Sequence, residues 1–112
     1  MTMTEKIPIR GLAKDITAAS TDTPIYEKTS GRKLYITGLV ITNQNTTNDA
    51  TVDFYDGAST GGRKLLTVIV PAGSTTTLNK NVLGDSVYCE YGDLVAQSDQ
   101  TTVTVTPSGY EE

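Results

Sequence analysis

The stretch Lys33 to Asn43, KLYITGLVITN, decides the fold class. Thr, Val, Ile and Tyr fit a pleated surface and lose rotamer freedom in a helix, so the run reads as a strand. Strict alternation puts Leu34, Ile36 and Val40 on one face and Tyr35, Leu39 and Ile41 on the other. Apolar residues on both faces predict a strand covered on both sides. Gly38 in the middle marks a bulge or a close backbone approach.

Downstream, ATVDFYD over Ala50 to Asp56 alternates, with Val52 and Phe54 inward and Asp53 and Tyr55 outward. Arg63 to Pro71, RKLLTVIVP, is again apolar on both faces and stops at a residue that cannot donate to a ladder. Ser74 to Asn79 follows a Pro71-Ala72-Gly73 turn. In SVYCEY, Val87, Cys89 and Tyr91 share one face. Leu94 to Gln97 comes next, and TTVTVTP over Thr101 to Pro107 points Val103 and Val105 in and Thr102, Thr104 and Thr106 out. Upstream, Pro24 to Lys28 is a weaker strand, preceded by Asp15 to Ala18. About eight short strands, spaced by turn signals, predict an all-β fold: an antiparallel β-sandwich.

The chain has 112 residues, enough for one core. Thr fills 20 positions, and no window shows a sustained helical stripe. There is no His and only one Cys. That removes the commonest general base, the Ser-His and Cys-His nucleophile pairs and the usual zinc sites, so the expectation is a protein that is not an enzyme and carries no cofactor or metal. Cys89 cannot form an intrachain disulfide and reads as a small core hydrophobe. Net charge is −4, without the basic stripe of a nucleic-acid binder. All nine bases lie in residues 1–84, whereas residues 85–112 hold six acids and no base. This reads as a solvated acidic end or an electrostatic dipole that orients neighbours. The start, MTMTEKIPIRGLAK, lacks the apolar core of a signal peptide, and Leu65 to Val70 is far too short to span a bilayer. Neither nucleic acid nor membrane is therefore expected as a partner.

Residues 1–20 differ from the rest. Pro8 and Gly11 oppose a regular element, while scattered apolar and basic residues stand among polar ones. The expectation is an extended N-terminal arm over 1–20 and a sandwich domain over 21–112. The arm would hold a neighbouring subunit or scaffold through Lys6, Ile7, Ile9, Arg10 and Leu12.

Motifs that hint at chemistry are weak. In Gly57 to Lys64, GASTGGRK, Arg63 replaces the lysine of a phosphate loop and the next segment is a strand, so a hairpin loop is expected. Asp53 and Asp56 fall on opposite faces of a strand, and Asp56-Gly57 reads as a turn in which Asp bonds its own backbone. The loop Asn43 to Asp49 has oxygens for a hard cation but reads as a polar loop. Asn45-Thr46-Thr47 matches a glycosylation sequon. Tyr35, Tyr55 and Tyr88 face outward, on three separate strands; half-buried sheet tyrosines are the expectation, a sugar platform the alternative.

From Leu34 to Glu112 the succession KLYITGLVITN, TVDFYDG, RKLLTVIVPAGSTTTLN and TVTVTPSGYEE resembles small β-sandwich virion proteins of tailed bacteriophages. In those chains an LYITGL strand, a DG loop, a P-x-x-S turn and a terminal GY-E tail recur in this order. They include capsid decoration, or cement, proteins of jelly-roll type. The resemblance implies a jelly-roll-like sandwich that sits on the capsid surface of a virion as a homotrimer, with the major capsid protein as its partner. It contains no site to carry over. The alternatives are a tail, neck or fibre component, or a carbohydrate-binding module that contacts host glycans.

Overall fold

The structure is a computed structural model that describes residues 5–9, 11–84 and 86–112. Its strands are β1 (Ile7–Pro8), β2 (Lys14–Ile16), β3 (Thr23–Tyr26), β4 (Leu34–Asn43), β5 (Ala50–Asp56), β6 (Arg63–Val70), β7 (Thr75–Leu78), β8 (Tyr88–Cys89), β9 (Leu94–Ser98) and β10 (Val103–Glu111). One helical turn, α1 (Lys80–Leu83), precedes β8 and is capped by the Asn79 side chain on Val82 N–H.

Two antiparallel sheets face each other. The first runs β1–β10–β4–β7, with β2 also on β10 and β8 also on β4; the second runs β3–β9–β5–β6. From β2 onward the chain crosses between sheets at almost every connection, and this interleaved order is that of a jelly roll. The core between the sheets is mainly apolar: Phe54, Ile16, Ile25, Leu34, Ile36 and Leu94 are among its fully buried side chains. Val52, Phe54, Val103 and Val105 point inward as the alternation requires.

β4 overturns the expectation of two-sided cover. Leu34 and Ile36 are buried, and so are Leu39 and Ile41. The pairing with β10 shifts where Ser108 opposes Gly38 and Gly109 opposes Ile36, which leaves Thr37 as the extra residue of a bulge. One inserted residue flips the parity, so both apolar sets reach the same face. A Cβ at Gly38 would meet the Ser108 hydroxyl, which would have to turn aside. β6 is likewise not covered on both sides: Val68 and Val70 are buried, whereas Ile69 is 63% exposed. Tyr91 does not share a face with Cys89. It lies beyond the end of β8 and is 83% exposed.

The division at residue 20 does not follow the sheets. β2 pairs with β10 in the register Ile16↔Val103 to Lys14↔Val105, and Ile16 is fully buried. Burying it contributes roughly 1.5–3 kcal/mol. β1 pairs with the other end of β10, Ile7↔Glu111 and Pro8↔Tyr110. Over its described residues the expected arm is thus laid along a strand of its own chain. Three of the acids of residues 85–112 are tied to backbone N–H groups of other segments rather than left to solvent alone. Asp93 accepts the Lys28 N–H, Asp99 that of Thr51 and Glu111 that of Thr29. Asp85 lies outside the described residues. Among the described residues no helix is long and apolar enough to cross a membrane.

Candidate interaction surface

The proposed arm contacts land in different environments. Ile9 packs against the core, and its N–H donates to Gly109 O at 3.1 Å. Lys6 reaches over the Tyr110 ring, 4.9 Å from its centroid. Ile7 and Leu12 are 41% and 65% exposed. Leu12 forms one rim of an open groove of about 310 Å³ above Pro24 and Ile25, with Lys14, Tyr26 and Glu27 around it. Burial, then the neighbouring Glu111 carboxylate, pushes the Tyr26 hydroxyl above its ordinary pKa. Arg10 lies outside the described residues.

The tyrosines form a cluster that the sequence reading missed. Tyr110 opposes Tyr35 across β10–β4, and Tyr35 opposes Tyr88 across β4–β8. Tyr35 and Tyr110 stack with centroids 5.0 Å apart, and Tyr35 and Tyr88 lie 5.7 Å apart. Arg63 and Lys33 cover the Tyr88 ring at 4.7 and 5.3 Å. Stacked neighbours and cations therefore occupy the ring faces, as in a cross-strand ladder that stabilises one end of a sheet. The rings do not lie open as a platform on which a sugar could stack. Tyr55 is apart from them, on β5, with Lys64 6.0 Å away.

The carboxylates and carboxamides brace loops. Asp56 is fully buried and accepts the N–H groups of Glu90, Tyr91 and Gly92, with the Arg63 guanidinium 3.7 Å away. It is not the self-bonded turn residue expected from Asp56-Gly57. Asp53, on the outer face, pairs with Lys64 at 3.3 Å. Asn43 spans the loop that follows it, donating to Asn48 O and Val70 O. Asn45 Oδ1 accepts the N–H groups of Thr47 and Asn48, and its Nδ2 donates to Gln100. These bonds tie the Asn43 and Asn45 side-chain oxygens to loop N–H groups. Residues 57–62 form the β5–β6 hairpin loop, as expected. Among the described residues no three His, Cys, Asp or Glu side chains converge as metal ligands.

No protein-family model and no curated protein matches this chain. Solved structures do, among them a protein of Bacillus endospore appendages, described as a novel family of disulfide-linked pili. It overlays with a TM-score of 0.54 at 18% identity, across 99% of this chain and 90% of that one. The likeness is one of fold.

In this jelly roll, β6 stands at the rim of the second sheet, with β5 as its one neighbouring strand among the described residues. Along its eight residues no strand among the described residues pairs with its outer side. Ile69 lies on it, Arg63 and Lys64 begin it, and Pro71 follows it. On the opposite side of the sandwich the rim strand β3 is half as long and contains Pro24, which blunts that edge. Cys89 is fully buried, and burial, with the Asp56 charge next in effect, pushes its thiol up to about 12.

Proposed function

We propose that this chain is a structural protein that works by contact, a decoration subunit bound to the outside of a phage capsid. The observation that carries the reading is the unpaired β6 edge with Ile69 exposed on it. A long apolar rim strand is a hazard to a free monomer and an asset to a subunit whose neighbours cover it. The resemblance to virion sandwiches over Leu34 to Glu112 supports the capsid location. Exposed Ile7 and Leu12 supply further apolar contacts. The partners are the major capsid protein and sister copies in a homotrimer, and repetition over a shell multiplies modest contacts. Purified chain added to mature shells of the encoding phage should bind in a fixed ratio to the capsid protein and raise their resistance to heat. Shells that take up none would refute the reading.

A second reading, a subunit of a filament, is favoured by the fold likeness to the spore-appendage protein. It predicts that the chain alone grows into fibres, where the decoration reading predicts a small closed oligomer. In either assembly Cys89 is too deeply buried to link subunits without opening the sandwich, so contacts should survive reducing agents.

A further inference from the structure

A cleft of about 300 Å³ opens at the end of the first sheet, between the chain leaving β2, the residue after β4 and the start of β10. It is lined by Thr17, Thr101, Thr102, Thr104, Gln44 and Asp15, above the buried Ile16, so that apolar surface, the larger share, alternates with hydroxyl, carboxamide and carboxylate groups. The backbone of Thr102 ties the three segments together. Its N–H donates to Ile16 O at 3.1 Å, and its carbonyl accepts from Gln44 N at 3.0 Å. Thr102 does this at φ +62°, a left-handed conformation that a β-branched residue rarely adopts. Ser20, at φ +54°, docks the neighbouring segment on Ser98 O. Glycine would hold the same backbone shape without strain. A side chain kept in a strained position beside a cleft points to a use for that side chain.

We propose that this cleft binds a neutral sugar, one or two rings of a glycan. The lining offers donors and acceptors together and, among the described lining residues, no cation. Such a wall suits a ligand rich in hydroxyls and without net charge. The mixed lining matches the C–H faces and hydroxyls of a sugar ring; an anionic ligand would meet the Asp15 carboxylate with no cation beside it among the described lining residues, and a single carboxylate is too few for a calcium site. The internal bonds are Thr104 Oγ1 to Asp15 Oδ1 at 2.8 Å, Gln44 Nε2 to Thr104 Oγ1 at 3.4 Å and Thr102 Oγ1 to Thr101 O at 2.5 Å. A hydroxyl has one proton and two lone pairs, so these bonds leave most of the lining's capacity to a ligand. The volume is at the small end of the range for ligand pockets. The site is separate from the β6 edge and does not depend on the assembly reading.

The test is nuclear magnetic resonance of the full chain titrated with cellobiose, maltose, lactose and N,N′-diacetylchitobiose, with 3′-sialyllactose as the anionic comparison. At least one neutral disaccharide should shift the Thr17, Gln44, Thr102 and Thr104 amides, saturating by about 20 mM, a millimolar affinity. Sialyllactose should bind no more tightly than lactose. Thr102→Gly should raise the melting temperature and weaken the sugar about tenfold; Gln44→Ala should weaken it without altering stability. The proposal is overturned if no neutral disaccharide shifts these amides, if Thr102→Gly binds as well as the parent, or if sialyllactose binds better. Shifts of the same amides on concentrating the protein without sugar would assign the cleft to contacts between copies and overturn it as well.

Discussion

Gly11 lies flush against Pro107: the Pro107 carbonyl oxygen occupies the space that a Cβ on residue 11 would need. Pro107 has no N–H to offer the neighbouring segment, and β1 and β2 pair with β10 on either side of it. Contact at this point is by close backbone approach, which only glycine permits. Gly11→Ala should therefore lift the N-terminal segment while leaving the sandwich folded, at a cost of about 1–2 kcal/mol. Hydrogen exchange reads the result. The Ile9 amide, bonded to Gly109 O, should lose its protection, and amides of β5 should keep theirs. An Ile9 amide as slow as in the parent would show that the segment is not held there.

Asp56 joins the end of β5 to the turn over Glu90 to Gly92, residues 34 to 36 positions away. Charged acceptors bind backbone N–H groups more strongly than neutral ones. Asp56→Ala strands several donors at once and should cost about 2–4 kcal/mol in urea unfolding. Asp56→Asn keeps the volume but turns an NH₂ group toward N–H donors, so it should recover little of that loss. Equal stability of Asp56→Asn and the parent would mean that packing, not the carboxylate, fixes the turn.

The strands were legible because alternation is local. Val52 and Phe54, or Val103 and Val105, reveal their face within a few residues. What escaped the sequence depended on pairing between distant strands. The bulge at Thr37 hid in KLYITGLVITN because an inserted residue and a two-sided strand leave the same apolar pattern; Gly38 was the one sign of it. Tyr35, Tyr88 and Tyr110 come together only through the order β10–β4–β8, which no local pattern encodes. Asp56-Gly57 resembles a turn on its own, and its real partners lie a third of the chain away. Ile16 at the core end of the expected arm was the readable hint that this segment belongs to a sheet. The cleft left no local sign, since Thr102 alternates outward like Thr104 and Thr106 and its strain is invisible in the sequence.

Acid should weaken the loop that Asp22 organises. Its carboxylate takes the Ser59 N–H at 3.0 Å and Gln97 Nε2 at 3.1 Å. Bonding to the Ser59 side chain and backbone, ahead of the opposing cost of burial, holds its pKa below the ordinary carboxylate value. A depressed native pKa gives stability that is present above the unfolded value of about 3.9 and fades as pH falls through the native one. Asp22→Asn should thus lower stability at neutral pH and flatten its decline below about pH 4. An unchanged acid profile would mean that Asp22 has the same affinity for protons in both states.

Alkali should act through Cys89 with the opposite sign. Its thiol, held up to about 12 by burial, stays protonated in the native protein where the unfolded chain ionises near 8.5. The native state then binds more protons, so stability falls as pH rises from about 8.5 toward 12. Tyr26, also raised by burial, adds to the decline above about pH 10. Cys89→Ala leaves a cavity and should cost about 1–3 kcal/mol at neutral pH, yet its stability should fall less between pH 8.5 and 10 than that of the parent. The same burial sets the thiol's reactivity, because thiolate is the nucleophile. Iodoacetamide at pH 8 should modify native Cys89 only as fast as the sandwich opens, and should modify the chain promptly in urea. Rapid labelling of the native protein would mean that β8 opens on its own, without unfolding of the sandwich.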